Sequence, residues 1–263
     1  MDFNETDSLL QWDYIFTEIA DTRSSPLFLM KDPIIPITIV AAYLTFVLHF
    51  GPKYMKSRQP FQFKSAIILY NAAQIIINSL LLSRFIYHWK SYNWICQPFD
   101  SSTSNSAMMM VYSCHLYFLN KIMDLTDTLF FVLRKKQEQV TFLHVWHHSI
   151  MVILSWVGTK YSPNGHSTLG CMINSFIHIL LYLYYLLAAM GPAVQKYLWW
   201  KKYLTALQLV QFGLIMIHQL LIFAPSCNYP SWTSFCIIPN AIVFTILFSN
   251  FYAQKYKTKD KIA

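Results

Sequence analysis

Residues Phe142 to Gly158 read FLHVWHHSIMVILSWVG. Most of these side chains belong in hydrocarbon, and a helix of this length, at about 1.5 Å per residue, nearly crosses a bilayer core of about 30 Å. Yet His144, His147 and His148 stand at i, i+3 and i+4, on one face and within the first two turns. An ionisable side chain inside a membrane span costs several kcal/mol unless it meets a partner or a cavity. The segment therefore reads as a membrane helix whose imidazoles turn toward an interior space, not toward lipid.

Six further apolar segments flank it, at 34–50, 65–88, 107–133, 167–190, 203–223 and 234–254. The 263-residue chain is 55% hydrophobic and 12% charged, about half the charged share of a soluble domain. The expected fold is an all-α membrane protein of seven transmembrane helices in one polytopic domain. That domain has a tail at 1–33, spans within 34–254 and a basic tail at 255–263. No fixed-period repeat or low-complexity linker interrupts it. The short first and fourth segments imply local thinning or snorkelling. Residues 1–32 lack the basic-then-apolar pattern of a cleaved leader, so the first span is expected to act as its own signal.

Basic residues give the orientation. Lys53, Lys56, Arg58 and Lys64 follow span one. Arg134, Lys135 and Lys136 follow span three, and Lys196, Lys201 and Lys202 follow span five. Lys255, Lys257, Lys259 and Lys261 fill the tail, whereas the opposite loops hold Lys90 and Lys160 and the N-terminal tail holds Arg23 and Lys31. This alternation puts the C-terminus in the cytosol and the N-terminus in the lumen. Two motifs agree. Asn4-Glu5-Thr6 is a glycosylation sequon that requires a lumenal Asn4. Lys259 and Lys261, third and fifth from the end, form a dilysine pattern for retrieval to the endoplasmic reticulum, read from the cytosol. Of five cysteines, Cys114 and Cys171 fall inside spans as packing residues. Cys96 and Cys227 fall in the lumenal loops and are expected to pair, with Cys236 as the competitor.

Four consecutive spans carry polar stripes. In span three, Lys121, Asp124 and Thr128 share a face with Asp127 close by, and Lys121 lies about 20 Å from the cytosolic end. Lys121 with Asp124 reads as a buried ion pair, and Asp127 as a group that orients a histidine. Span four carries the three histidines. Span five aligns Asn174, His178, Tyr182 and Tyr185, and span six aligns Thr205, Gln208 and Gln211. His115 and His218 read as isolated core histidines, and His49, His88 and His166 as solvated residues at loop edges. The stripes together imply one chamber open toward the cytosol.

Two chemistries suit such a chamber. A membrane desaturase or hydroxylase with a di-metal site needs about eight ligands, whereas this chain offers one HxxHH and His178; four imidazoles would suffice for a single zinc. Alternatively, imidazole acts directly, as nucleophile toward a thioester or as general base. The basic rim of Arg134, Lys135, Lys136, Lys201 and Lys202 suits a polyphosphate head. A polyanionic head on an apolar tail describes acyl-CoA. A non-enzymatic seven-helix receptor is the third class, but it leaves the inward HxxHH without a use.

At these residues the chain resembles the very-long-chain fatty acid elongases, the ELO family of membrane 3-ketoacyl-CoA synthases of the endoplasmic reticulum. The likeness covers nearly the whole chain. The HxxHH box reads His144 to His148, and the lysine box Lys121, Asp124, Asp127 and Thr128. The HxxMYxYY box reads His178, Leu181, Tyr182, Tyr184 and Tyr185, and the TxxQxxQ box Thr205, Gln208 and Gln211. Asp124 stands where glutamate is frequent and Leu181 where methionine is common. Gln139 and Asn174 resemble the subgroup acting on longer or unsaturated chains.

The resemblance implies seven helices, six of them a barrel around an acyl tunnel, and decarboxylative condensation of acyl-CoA with malonyl-CoA to 3-oxoacyl-CoA, carbon dioxide and CoA. It implies no metal and no prosthetic group. Expected partners are the two CoA thioesters, the bilayer, the ketoacyl reductase, dehydratase and enoyl reductase that complete elongation, and a second copy of the chain; nucleic acid is not among them. In the mechanism expected of these residues His147 attacks the acyl thioester and His178 meets the reacting carbonyl or malonyl group. His144 and His148 orient or deprotonate His147, Asp127 or a glutamine fixes its tautomer, and Asn174 and Gln208 stabilise the oxyanion; a single ternary complex with histidine acting only as base is the alternative.

Overall fold

The computed structural model describes residues 12–257. Asn4 of the sequon and Lys259 and Lys261 of the tail lie outside the described residues. Every regular element among them is helical. Those of eight residues or more, in chain order, are α1 (Ile34–Met55), α2 (Lys64–Trp89), α3 (Asn105–Asp124), α4 (Thr126–Leu133), α5 (Phe142–Tyr161), α6 (Thr168–Ala189), α7 (Lys201–Leu220) and α8 (Trp232–Tyr252). Five of them, α1, α2, α6, α7 and α8, are long and apolar enough to cross a membrane. The α3–α4 rod and α5 are of comparable length but carry the ionisable residues, which lowers their hydropathy without shortening them. The protein is thus a multi-spanning all-α membrane protein.

Local sequence explains the helix ends. Ser104 caps α3 by accepting from the Ala107 N–H at 3.2 Å, and Thr141 caps α5 by accepting from the His144 N–H at 3.2 Å. Gly191, at φ 114° and ψ −175°, takes a conformation open mainly to glycine just past α6. Between α3 and α4, the Leu125 N–H bonds the Ile122 carbonyl and the Thr128 N–H bonds the Leu125 carbonyl, both at 3.2 Å. This i→i+3 tightening brings residues three apart into near-eclipse, so Asp124 and Asp127 point the same way.

The helices pack in a definite order. α2 lies along α6, its most extensive partner; α6 contacts α7, α7 contacts α8, α8 contacts α5, α5 contacts α3 and α3 returns to α2. α1 packs on α5, where Val40, Tyr43 and Val47 bury against Phe118, Val145, Val152 and Trp156. A Cβ on Gly51 would stand 2.5 Å from Val132 Cγ1, so glycine permits the close approach of α1 to α4.

At the end away from the α4–α5 turn, Cys96 and Cys227 form a disulfide, and Cys114, Cys171 and Cys236 are free thiols. Lys160, expected in a loop, lies on α5 and is fully buried. Its ammonium donates to Ser25 Oγ at 3.0 Å and to the carbonyls of Met30 and Lys31 at 2.8 and 3.1 Å, tying down the segment before α1. His88 and His166 are buried, not solvated as expected, and His218 is not isolated. The loops fold back over the helix ends. Their ordering stacks the His166 and His218 rings at 3.7 Å and 5°, with His166 Nε2 on the His218 carbonyl at 2.8 Å. Gly165, at φ 78°, turns the backbone there. Burial lowers His166 below the ordinary imidazole value and pushes Tyr229 up to about 12.

Candidate active site

Of the three HxxHH imidazoles, only His147 lines the cavity bounded by α3, α5, α6, α7 and α8. The space there amounts to about 1090 Å³, part of it open to the surroundings. Along α5 it is bounded by His147, Met151, Leu154, Ser155 and Gly158 on one helical face, with Val157 and Thr159 at its flanks and Ser162 just past the helix end. Asn174, Gln211, Ile215, Ile237 and Phe244 close other sides. The His147 ring sits 4.9 Å from Phe244, so its surroundings are mostly apolar.

His144 and His148 stand behind it. Their rings are 4.3 Å apart, and His148 meets His147 edge-on at 5.3 Å. His144 Nε2 lies 3.0 Å from Thr128 Oγ1, which lies 2.8 Å from the Tyr43 hydroxyl. These contacts fix the His144 ring against α4 and α1 and leave His147 as the face toward the cavity.

The lysine box forms a buried polar cluster. Lys121 Nζ donates to Asp124 Oδ2 at 2.9 Å, both side chains 2% exposed. It also lies 3.4 Å from His178 Nε2 and 4.8 Å from the Tyr117 ring centre. His178 Nδ1 is 3.6 Å from Asp124 Oδ2. Both His178 nitrogens thus face the ion pair. Asp124 Oδ1 also accepts from Gln74 Nε2 at 3.0 Å. Tyr182 Oη stands 2.9 Å from Asp124 Oδ1 and 2.8 Å from Asp127 Oδ2. Asp127 therefore meets Tyr182, and no hydrogen bond joins it to a histidine among the described residues, contrary to the tautomer-fixing role expected of it. The near-eclipse of Asp124 and Asp127 aims both at Tyr182. Tyr185 packs edge-on to Tyr182 at 6.0 Å.

Asn174 Oδ1 accepts from the Tyr117 hydroxyl at 2.8 Å, which leaves its amide N–H groups for the cavity. Of the TxxQxxQ stripe, Gln211 lines the cavity, whereas Thr205 is buried and Gln208 half-buried outside its lining. Gln208 shares the face of Gln211 and Ile215 but lies about one turn nearer the start of α7, short of the stretch that lines the cavity. Arg134 is half-buried, and Lys135, Lys136, Lys201 and Lys202 are exposed at the end where α4 finishes and α5 and α7 begin. Lys135 donates to the Lys56 carbonyl at 3.3 Å, and Lys201 lies 5.8 Å from the Tyr184 ring centre.

Sequence reasoning missed Tyr43, Tyr70, Gln74 and Tyr117. Asn71, Gln74 and Asn78 in α2 are at most 2% exposed and recur at i, i+3 and i+7, a polar stripe legible in the second span. Among the described residues no group of three or more His, Cys, Asp or Glu side chains is arranged to hold a metal ion.

The fold and site together are those of a multi-spanning all-α membrane protein with one imidazole on the wall of an apolar cavity and a buried Lys–Asp–His cluster. The chain belongs to the ELO family, described as GNS1/SUR4, whose model matches residues 28–263. It is 46% identical over 242 residues to very long chain fatty acid elongase 7 of Drosophila melanogaster, covering 91% of this chain and 73% of that protein. It is 43% identical over 250 residues to very long chain fatty acid elongase 1 of Mus musculus, covering 92% and 88%. To very long chain fatty acid elongase 4 of Homo sapiens it is 40% identical over 260 residues, covering 98% and 82%.

Proposed function

We propose how this chain works as an ELO-type condensing enzyme, joining acyl-CoA to malonyl-CoA to give 3-oxoacyl-CoA, carbon dioxide and CoA. One observation carries the reading: His147 alone of its box lines an apolar cavity that continues along one face of α5. The closed packing order of α3, α2, α6, α7, α8 and α5 supports a six-helix barrel around that cavity, with α1 outside. The basic residues at the His147 end support a cytosolic mouth there, with the disulfide end and the N-terminus lumenal. The same reading makes residues 1–263 one domain of the endoplasmic reticulum membrane, with the retrieval pair in the cytosol and Asn4 in the lumen.

Arg134, Lys135, Lys136, Lys201 and Lys202 pair with the CoA phosphates at the mouth, and the acyl chain enters the cavity. His147 attacks the thioester carbonyl, and an acyl-imidazole forms as CoA leaves. Malonyl-CoA then loses carbon dioxide, and its enolate attacks the acyl carbon. His144 and His148 hold His147 in place, and His178 with Lys121 faces the incoming malonyl group. The Asn174 amide and Gln211 stabilise the oxyanion, where one donor is commonly worth about 3–4 kcal/mol. The apolar walls exclude the water that would hydrolyse an acyl-imidazole. The reductases and dehydratase of the cycle take the product onward.

Membranes carrying the chain, given labelled malonyl-CoA and a panel of acyl-CoAs, are expected to form 3-oxoacyl-CoA. Labelled acyl-CoA alone is expected to leave a covalent acyl-enzyme that His147→Ala abolishes. An acyl-enzyme that persists in His147→Ala would refute the assignment of the nucleophile.

A further inference from the structure

Arg84 is a guanidinium on a membrane helix with no partner. It stands on α2 five residues before the helix end at Trp89, about 7.5 Å from it. Its side chain is half-buried, yet it makes no hydrogen bond and no ion pair among the described residues. Other bases at this end of the protein are satisfied. Arg23 pairs with Asp21 and donates to the carbonyls of Asp100 and Ser102 at 2.8 and 2.6 Å. Lys160 has its three acceptors. A guanidinium carries five N–H donors, and leaving them unmet beside hydrocarbon is costly.

Arg84 lines a hollow of about 580 Å³ between α2 and α3, part of it open to the surroundings. Asn105, Met108, Met109 and Tyr112 form the rest of the wall, at i, i+3, i+4 and i+7 on one face of α3. No acidic residue is among them. α3 begins at Asn105, so the positive end of its dipole adds to the Arg84 charge. Toward the membrane centre the surface turns apolar. Leu80 and Ile76 precede Arg84 by four and eight residues on α2, and both are exposed, as is Met109 on α3. Tyr87, three residues past Arg84, is exposed as well, and an exposed tyrosine near a span end marks the headgroup level. None of the five wall residues lines the cavity that holds His147.

We propose that this hollow binds the phosphate of an anionic glycerophospholipid from the leaflet at the disulfide end, with Arg84 as its cation. The phosphodiester accepts from the guanidinium fork, which matches its paired oxygens. The acyl chains run from the hollow over Leu80 and Ile76. Charge selects the headgroup. An anionic lipid brings one negative charge to a wall that holds one positive charge. A zwitterionic lipid brings an ammonium too, and the wall has no carboxylate to receive it.

The test uses the full-length protein in detergent, stripped of lipid and titrated with phosphatidylglycerol, phosphatidylcholine or inorganic phosphate. Native mass spectrometry counts the bound adducts. The unaltered protein is expected to hold one phosphatidylglycerol more tightly than any phosphatidylcholine. Arg84→Gln is expected to weaken that binding about tenfold or more. Arg84→Lys, which keeps the charge without the fork, is expected to weaken it less. Asn105→Asp leaves Arg84 in place, suits the first turn of α3 and sets a carboxylate on the wall; it is expected to act like Arg84→Gln. Phosphatidylglycerol is expected to raise the melting temperature of the unaltered protein and of neither neutralising variant. Undiminished binding in folded Arg84→Gln, or in Asn105→Asp should Arg84→Gln not fold, would overturn the proposal. So would phosphatidylcholine bound as tightly as phosphatidylglycerol. Inorganic phosphate bound as tightly as phosphatidylglycerol would overturn the assignment to a lipid and leave a free-anion site.

Discussion

Gly158 is where the cavity can be shortened without disturbing the fold. It lies on the lining face of α5, eleven residues beyond His147, and a Cβ built on it meets nothing within 4 Å. Gly158→Phe therefore places a ring in the cavity without strain, and helix propensity favours the change. At about 1.5 Å of rise per residue the plug stands about 16 Å from His147. An extended chain advances about 1.2 Å per bond, so about 13 carbons fit between them. Beyond the plug each methylene loses about 0.8 kcal/mol of burial. Four such methylenes amount to about 3 kcal/mol, or roughly a hundredfold in kcat/KM. The assay feeds membranes a series of acyl-CoA primers stepped two carbons at a time across that limit, with labelled malonyl-CoA. Short primers are expected to react as in the unaltered protein and long ones to drop by that factor, with an unchanged melting temperature. An unshifted primer spectrum in a stably folded Gly158→Phe would show that the cavity is not the acyl channel.

Three further outcomes follow from the packing. Lys121→Met leaves Asp124 buried with no cation and is expected to cost about 3–5 kcal/mol; thermal unfolding in detergent reads this, and adding Asp124→Asn is expected to recover at least half. Gly51→Ala puts a Cβ 2.5 Å from Val132 Cγ1 and 2.9 Å from the Phe46 carbonyl oxygen and is expected to cost about 1–3 kcal/mol, relieved only in part by Val132→Ala in the double variant, because the backbone contact stays. Burial lowers His166 in the folded state, so the unfolded chain takes up that proton first as pH falls. The His166 contribution is full above about pH 6.5 and is lost below it, as pH descends toward the folded value. Melting temperatures between about pH 7.5 and 5.5 are expected to fall less steeply in His166→Gln than in the unaltered protein. A slope that the substitution leaves unchanged would refute this.

Much of the site was legible because membrane helices make polar residues conspicuous. His147, His178, Asn174 and the Lys121–Asp124 pair each broke an apolar run at helical spacing, and the structure gathers them around one cavity and one cluster. What stayed hidden depends on partners distant in the chain. Gln74 meets Asp124 across fifty positions, and Tyr43 meets Thr128 across eighty-five; spacing within a single segment cannot register either contact. Lys160 was misread for a different reason. A lysine at the end of a span normally snorkels to water, and only the folded segment before α1, with its carbonyls of Met30 and Lys31, gives this one a buried shell. His88, His166 and His218 follow the same logic, because loop order is a tertiary property.

The division of labour between α5 and the α3–α4 rod explains why these two fail the apolar test that the other five long helices pass. The acyl-imidazole proposed at His147 needs dry surroundings, and His147 has an apolar cavity face with Phe244 at 4.9 Å. Buried charges need the opposite, a hydrogen-bonded cluster, and this is confined to one side, where Lys121, Asp124, Asp127 and Tyr182 meet one another. Mixing the two would hydrate the acyl-imidazole or strand the charges. His178 is the one imidazole with both nitrogens turned to the cluster, so it sits at the seam. The 3₁₀ step at Leu125 is what makes the seam narrow. A regular helix would set Asp124 and Asp127 about 60° further apart around the axis, and a single Tyr182 hydroxyl would no longer reach both.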